Sequence, residues 1–395
     1  MSRRQPETAI AGGTAAAPLR IAIVASYAPS LTLFRGPLIA RLTGMGHKVL
    51  CLAPDLNPAL IVDLGKLGAE ARGYPLDRTG LNPLADLKSL KSLASIFRNW
   101  RPDAVMGYTP KPAIYASLAA KIARTRRIVP MVTGLGYGFL DGGGVKRQVV
   151  RAGMRRLYRL ALRGSHGVIF HNRDDRMVLE NAGAIPRGTK VHVVAGSGVD
   201  LTHYGRQPMP AGGTPLTFLM VSRLLKGKGI AEYCEAAKLL KQSASSARFV
   251  LAGPEDSSPD GFKAADLAAF ADAIDYRGRV EDPRPLYGEC HVYVLPSHGE
   301  GMPRTVLEAM AAGRPIITTD ARGCRETVDE RVNGCLVPIG DAYALAAAMR
   351  SFCEHPELIP SMGEASRRKA ERRFDVNLVN AEMVEILTAV DARRT

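Results

Sequence analysis

The chain has 395 residues, a length that favours two domains over a small binding module. Its composition, with 46% hydrophobic and 23% charged residues, is that of a folded protein and excludes a disordered chain, a coiled coil or a collagen-like sequence. The net charge of +15 comes from residues 1–200, which hold 29 Lys and Arg against 12 Asp and Glu, whereas residues 201–395 hold 24 against 26, so we expect an anionic partner for the first half only.

The sequence carries no signal for secretion or membrane insertion. No stretch is apolar and uncharged over the roughly 18 residues that a transmembrane helix needs. Residues 1–18 begin with basic side chains but lack the apolar segment of a signal peptide, and we expect a disordered tail there. Six cysteines without a CxxC pair indicate neither a disulfide framework nor a zinc ribbon, which favours the cytoplasm.

Short β-branched segments alternate with helical segments through residues 19–203. Because parallel strands need helical crossovers, this alternation predicts a parallel sheet covered by helices on both faces. The predicted strands are Leu19–Ser26, Lys48–Ala53, Ala104–Met106, Arg127–Val132, Gly167–Phe170 and Lys190–Val194.

A basic amphipathic helix is predicted over residues 145–163, where apolar residues recur at helical spacing. Its charged residues are all basic: Lys146, Arg147, Arg151, Arg155, Arg156, Arg159 and Arg163. Two interpretations fit equally well: the helix docks on an anionic membrane surface, or it packs its apolar face on its own domain. Nucleic-acid binding is disfavoured, because the chain has no helix-turn-helix, zinc-finger spacing or RNP-type aromatic strand.

A polar stretch rich in Pro and Gly, 204–215, predicts a linker, after which the same alternation begins again. The sequence therefore predicts an α/β protein with two doubly wound Rossmann-like domains, 19–203 and 216–375, facing each other across a cleft. Residues 376–395 predict a helix that packs back on the first domain. The predicted strands of the second domain are Leu216–Val221, Arg248–Ala252, Ala273–Tyr276, Val292–Pro296 and Pro315–Thr319.

The segment VYVLPSHGEGMPRTVLEAMAAGRPIITTD, residues 292–320, predicts a strand, a loop, a helix and a second strand. Pro303 fits the first helical position and Gly313 a C-terminal cap. Between strand and helix, Gly299 and Gly301 form a loop whose bare N–H groups lie at the positive end of the helix dipole. This arrangement predicts a phosphate site.

Two carboxylates accompany the loop: Glu300 within it and Glu308 in the helix, separated by seven residues. Carboxylates accept paired hydrogen bonds from vicinal hydroxyls, the groups that ribose and hexoses offer. A diphosphate on the loop amides, with a ribose on one Glu and a sugar on the other, would form a nucleotide-sugar site.

With these residues in place, the sequence resembles the GT-B retaining glycosyltransferases of family 4. The E-x7-E pair lies in an S-x-x-E-G-x-P-x-x-x-L-E-A-M-A-x-G-x-P-I setting, and VSRLLKGKG resembles the family's G-R-L-x-x-x-K-G segment. Arg223 and Lys228 stand where the family's Arg and Lys neutralise the donor diphosphate. Gly278, Arg279 and Val280 resemble the strand end that contacts the base. The resemblance covers about residues 19–390.

The resemblance implies a role for each matching residue. Arg223, Lys228 and Glu300 are the catalytic candidates, with Glu300 binding donor-sugar hydroxyls and Glu308 the ribose. The donor-binding set is Glu308, Gly301, Met302, Pro303, Arg304, Thr305, Arg279 and Val280. Because two fixed cations stabilise a departing diphosphate, no metal or other cofactor is expected, and the chain contains no D-x-D motif.

The first domain departs from the family pattern, since its loop 27–36 lacks a Gly pair and the family's His residues are not matched. Instead, LFRGPL (33–38) and TGLGYGF (133–139) look like the bacterial branch that extends polyprenyl-diphosphate-linked glycans. Candidates for acceptor or cleft contacts are Arg35, Thr133, Gly134 and His171. For His171, a structural role is the favoured alternative.

The predicted function is that of a metal-independent retaining glycosyltransferase, moving a hexose or N-acetylhexosamine from a nucleotide diphosphate donor, with UDP favoured. The acceptor would be a polyprenyl-diphosphate-linked glycan at the inner face of the cell membrane. One alternative keeps the fold but replaces transfer with nucleotide-sugar epimerisation or hydrolysis. Another is a non-catalytic binder of membranes or nucleic acid that uses the basic half.

Overall fold

A computed structural model describes residues 17–78, 82–135, 145–243, 245–258 and 260–389. The predicted tail up to residue 16 and most of the Gly-rich segment 133–139 lie outside the described residues. Within those ranges, each half of the chain folds around a parallel sheet flanked by helices. No helix in this part of the chain is long and apolar enough to cross a bilayer.

The N-terminal domain has strand order β3-β2-β1-β4-β5, which a Tyr108–Met131 bridge joins to β6-β7-β8. Its strands are β1 (Arg20–Val24), β2 (Lys48–Ala53), β3 (Glu70–Gly73), β4 (Ala104–Gly107), β5 (Arg127–Ile128), β6 (Met131–Val132), β7 (Val168–Phe170) and β8 (Val191–Val193). Its helices are α1 (Ser30–Leu33), α2 (Gly36–Gly44), α3 (Pro58–Lys66), α4 (Pro83–Trp100), α5 (Pro110–Ile122), α6 (Val145–Leu162) and α7 (Arg173–Asn181).

The C-terminal domain has strand order β11-β10-β9-β12-β13-β14, the doubly wound order. Its strands are β9 (Thr217–Val221), β10 (Arg248–Ala252), β11 (Ile274–Tyr276), β12 (Val292–Leu295), β13 (Ile316–Thr319) and β14 (Gly334–Val337). Its helices are α8 (Ile230–Gln242), α9 (Arg284–Glu289), α10 (Arg304–Ala311), α11 (Ala342–Glu354) and α12 (Leu358–Lys369).

The chain crosses between the domains twice, and the two crossings lie side by side. Val199 forms a parallel bridge with Asp375, and Gly198, with φ of +68°, leaves no room for a Cβ atom beside Val376. After the second crossing, α13 (Val376–Thr388) returns to the N-terminal domain, where Met383 and Leu387 join its core.

Helix α6 packs its apolar face on its own domain. Tyr158, Ala161 and Leu162 are buried in a cluster with β6 and β7, so the apolar face is used inside the protein. Arg155 and Arg156 are exposed, and Arg156 lies on the face opposite these buried residues. Of the two interpretations of this helix, the structure therefore describes the packed one. Besides the arginines, Val149 and Leu160 of this helix are exposed.

Candidate active site

The strand order determines where the two domains can bind a ligand. In each sheet the order reverses beside the first strand, between β1 and β4 and between β9 and β12, and loops that follow these strands diverge to leave a crevice. The loops after β9 and β12 carry Arg223 and residues 296–303, and the segment after β1 carries Arg35. The carboxyl edges of the two sheets thus bring the candidate residues of both domains to one cleft.

A cavity of about 430 Å³ lies in this cleft and is lined from both domains. The N-terminal domain contributes Leu33 and Phe34, and Tyr204 comes from the predicted linker. The C-terminal domain contributes Val221, Ser222, Arg223, Lys228, Leu295, Glu300, Met302, Pro303, Arg304, Thr305 and Glu308. The structure therefore brings together all three catalytic candidates and most of the donor-binding set.

Helix α10 points its N-terminus at this cavity. The helix begins at Arg304 with Pro303 as its N-cap, one position later than predicted, and no side chain caps it. The first-turn amides of a helix have no carbonyl within the helix to bind, so they are available to a ligand. Gly313 follows the helix with φ of +81°, as its predicted cap position requires.

Gly301 marks the point where the two domains touch through their backbones. A Cβ atom at residue 301 would lie 1.8 Å from the carbonyl oxygen of Thr133, which no side chain allows. The side chain of Asn172, in the N-terminal domain, donates to the carbonyl of Gly301 over 2.7 Å. Thr133 and Gly301 therefore do meet in the cleft, by close backbone approach, and the neighbouring Gly134 has a φ of +149° that favours glycine.

Glu308 is 5% exposed and already hydrogen-bonded. One carboxylate oxygen accepts from Arg304 Nε over 3.0 Å and the other from the Tyr287 hydroxyl over 2.8 Å. Burial raises the pKa of Glu308, while Arg304 and the phenol oppose that shift. A ribose hydroxyl at Glu308 would join this network or displace one of its donors.

The other cations of the cavity are likewise paired with carboxylates. Lys228 Nζ donates to Glu300 Oε1, which also accepts from the Ser297 hydroxyl over 3.0 Å. Arg223, which is largely exposed, donates to Asp256 over 2.7 Å. A bound diphosphate would compete with these carboxylates for the same donors, because phosphate oxygens accept the same charge-assisted hydrogen bonds.

Two predicted donor residues lie away from this cavity. Arg279 is exposed and Val280 half-buried in the loop after β11, at the edge of the sheet, and neither lines the cavity. The prediction placed both residues at the donor site from their position in the sequence alone. In the sheet, however, β10 separates β11 from the central strand β9. A role for either would need a ligand that extends beyond the cavity.

His171 lies on the N-terminal side of the cleft and is buried. Its Nε2 lies 3.2 Å from Arg35 Nη2, and burial, reinforced by that positive charge, holds its pKa well below the ordinary value. The imidazole is therefore neutral at physiological pH, with Nε2 as the acceptor. His171 therefore contacts another candidate residue of the same domain, Arg35, and a structural role for it stays a prediction.

Three contacting residues were missed by sequence reasoning. Tyr287 and Asp256 come from distant segments and have no spacing that links them to the E-x7-E pair. Asn172 had a local signal, because an Asn just beyond a strand and three residues before Asp175 is typical of a helix N-cap. Its side chain does cap α7, accepting from the Asp175 amide over 2.7 Å.

Polar contacts beside the cavity join the two domains. Asp174 accepts from Arg325 over 2.9 Å, and buried Asp175 lies 3.8 Å from Arg322. Burial raises the pKa of Asp175 to about 6 against the lowering effect of Asn172 and Arg322. Within the described residues, no group of three or more His, Cys, Asp or Glu side chains is placed to hold a metal ion.

Family models of known proteins match both domains of the chain. The family model "Glycosyl transferases group 1" matches residues 215–355, and "Glycosyl transferase 4-like domain" matches residues 36–196. The chain is a GT-B glycosyltransferase. Solved structures with the same fold include a glycosyltransferase from Rickettsia africae, with a TM-score of 0.75, 22% identity and coverage of 95% of this chain and 100% of the other.

Two further relatives extend the comparison. An N,N'-diacetylbacillosaminyl-diphospho-undecaprenol alpha-1,3-N-acetylgalactosaminyltransferase from Campylobacter jejuni is 28% identical over 94% of this glycosyltransferase and 99% of its own length. HepE from Anabaena, solved in complex with UDP, has a TM-score of 0.75 at 19% identity and covers 94% of this chain and 100% of its own.

Proposed function

We propose that this glycosyltransferase moves a sugar from a UDP-sugar to a polyprenyl-diphosphate-linked glycan, with retention of the anomeric configuration and without a metal ion. The observation that carries the proposal is the cavity at the doubly wound switch point, where Arg223, Lys228, Glu300 and Glu308 converge with the open N-terminus of α10. A UDP-bound neighbour of the same fold supports the choice of donor.

The donor diphosphate binds between the cations and the helix. Arg223 and Lys228 release the carboxylates of Asp256 and Glu300 and donate to phosphate oxygens instead. The backbone N–H groups of Gly301, Met302 and Arg304 donate to the same diphosphate. Glu300, released from Lys228, becomes free to accept donor-sugar hydroxyls. Glu308 stays in place through Tyr287 and accepts the ribose hydroxyls.

The chemistry follows from where negative charge develops. The bond between the anomeric carbon and the diphosphate oxygen breaks, and fixed cations near that oxygen stabilise the departing charge. The acceptor hydroxyl attacks the same face of the sugar, and its proton passes to the departing diphosphate. No carboxylate serves as a covalent nucleophile, and Glu300 and Glu308 bind hydroxyls.

The acceptor side is assigned to the N-terminal domain. The relative from Campylobacter jejuni acts, by its name, on a diphospho-undecaprenol-linked sugar, which supports a lipid-linked acceptor. Relatives named for colanic acid, amylovoran and capsular polysaccharide support a role in surface polysaccharide synthesis. The exposed arginines of α6 would hold the enzyme at the anionic inner face of the membrane.

The test is nucleoside diphosphate release from UDP-, GDP- and ADP-sugars, with and without a polyprenyl-diphosphate glycan in detergent and with EDTA throughout. We expect release from UDP-sugars that depends on acceptor, resists EDTA and is lost in Glu308→Ala, with the product anomer matching the donor by NMR. Release without acceptor would instead indicate an epimerase or hydrolase. Absence of both release and nucleotide binding would favour a non-catalytic binder.

A further inference from the structure

The N-terminal half of the cleft contains a buried cation without a counterion. Arg35, between α1 and α2, is 2% exposed. Its Nη2 donates to Met131 Sδ over 2.9 Å and approaches His171 Nε2, and its guanidinium carbon lies 5.1 Å from the ring centroid of Tyr108. Within the described residues, no carboxylate pairs with Arg35, and its buried Nε has no hydrogen-bond partner.

The groups around Arg35 do not cancel its charge. Burial lowers the pKa of Arg35 to about 10, so the guanidinium stays protonated at neutral pH. His171 is neutral, and burial raises the pKa of Tyr108, whose hydroxyl hydrogen-bonds Ser30 Oγ at 2.7 Å, so the phenol is neutral as well. A buried charge without a partner is costly to fold around, and in proteins such groups are normally paired.

A second cation, from the C-terminal domain, contacts the residues just before Arg35. Arg304, at the start of α10, donates to the carbonyl of Leu33, and its guanidinium lies 5.2 Å from the ring centroid of Phe34. The charge of Arg304 in turn lowers the pKa of Arg35, so the two cations repel each other across the cleft. An anion between them would remove this repulsion and give Arg35 the partner that it lacks.

We propose that Arg35 binds the diphosphate group of the lipid-linked acceptor, an inference that rests on the proposed function. The donor diphosphate has its own cations, Arg223 and Lys228, in the C-terminal domain. Arg35 belongs to the opposite domain and directly follows Phe34, which lines the cavity. Once the side chains that cover Arg35 move aside, its free Nε–H donates to an oxygen of that diphosphate. Arg304, which donates to the Leu33 carbonyl, is attracted to the same group.

The test measures binding of two probes by calorimetry: UDP, and farnesyl diphosphate added in the presence of saturating UDP. Arg35→Met keeps the volume and removes the charge, whereas Arg35→Lys keeps the charge and loses the planar fork. We expect farnesyl diphosphate to bind the wild type and to bind Arg35→Met at least about ten-fold more weakly, with Arg35→Lys between them. The affinity for UDP is expected to be the same in all three.

Thermal unfolding separates binding from a structural role. Because Arg35 is buried without a counterion, Arg35→Met is expected to unfold at the same temperature as the wild type or a higher one. Equal binding of farnesyl diphosphate by wild type and Arg35→Met would overturn the proposal, as would a matching loss of UDP affinity or a lower unfolding temperature in Arg35→Met. Failure of the wild type to bind UDP would instead refute the proposed function, and the farnesyl diphosphate comparison without UDP would still decide the Arg35 site.

Discussion

The two halves of the cleft use charge in opposite ways. In the C-terminal half, each cation that lines the cavity is paired with a carboxylate: Arg223 with Asp256, Lys228 with Glu300 and Arg304 with Glu308. In the N-terminal half, the buried Arg35 contacts Met131, His171 and Tyr108, and no carboxylate of the described residues pairs with it. A paired site exchanges one anion for another when its ligand binds, while an unpaired cation gains its first counterion. The C-terminal half of the cleft is therefore stable without a ligand, whereas the N-terminal half loses stability in order to bind one.

The largest effect is expected from Lys228→Ala. In the proposed mechanism Lys228 is one of the cations that stabilise the departing diphosphate, and the loss of such a group lowers kcat by about 10²–10³-fold. Lys226→Ala is the matched control, because Lys226 lies two residues away, is exposed and does not line the cavity. Transfer rates from a UDP-sugar compare the two variants, and similar rates in both would break the assignment of the paired half.

The buried Asp175, which faces Arg322 of the other domain, makes the stability of the protein depend on pH. Its folded pKa of about 6 lies above its ordinary value, so the protonated form favours the folded state and this stabilisation is lost as pH rises through 6. Asp175→Asn removes the ionisable group, so the variant does not lose this stabilisation as the pH rises. We expect the free energy of unfolding of Asp175→Asn, relative to the wild type, to increase between pH 4 and pH 8 by on the order of 2–3 kcal/mol. Denaturant unfolding at both pH values measures the difference, and parallel curves would contradict it.

Gly301→Ala tests the backbone contact that holds the halves together. The added Cβ would overlap the Thr133 carbonyl, so the domains must separate at a cost of about 1–3 kcal/mol, and transfer should fall with stability. Gly299→Ala, in the same loop, has no atom within 4 Å of the new Cβ and is expected to behave as the wild type. Unfolding temperature and transfer rate are measured together, and an equal effect of both changes would argue against this contact.

The smallest effect concerns the basic surface of α6. Arg156→Gln removes one exposed charge and should weaken binding to phosphatidylglycerol vesicles by about 1 kcal/mol, or roughly five-fold. Arg350→Gln, an exposed arginine of α11 in the C-terminal domain, is the control and should leave vesicle binding unchanged. Vesicle sedimentation measures both. If the control loses as much as Arg156→Gln, charge in general rather than this helix governs membrane contact.

Much of the fold could be predicted because its strands are apolar and buried. The alternation located both sheets, including β9 and β12, whose loops form the site. Strand β3 was missed, since its sequence EARG is charged and largely exposed at the sheet edge. Strand β14 was missed as well, because it has only four residues and begins with Gly334, a residue type that is depleted in strands.

The candidate site could be predicted where its residues lie close in sequence and, for Arg223 and Lys228, where the family resemblance supplied them. The loop and helix around Glu300 and Glu308 form one continuous segment, so their convergence followed from the strand-loop-helix pattern. The counterions Asp256 and Glu300 could not be assigned to their cations, because charge pairing across a fold leaves no spacing to recognise. The missing counterion of Arg35 is likewise a property of its surroundings, which only the folded chain supplies.

The most direct test of the difference between the halves compares Arg35→Met and Lys228→Ala for binding of UDP and of farnesyl diphosphate, with farnesyl diphosphate also titrated without UDP. We predict opposite losses: Lys228→Ala weakens UDP binding and keeps farnesyl diphosphate binding, whereas Arg35→Met keeps UDP binding and weakens farnesyl diphosphate binding. If both variants lose the same ligand to the same extent, the cleft holds a single anion site, and the division between a donor half and an acceptor half is wrong.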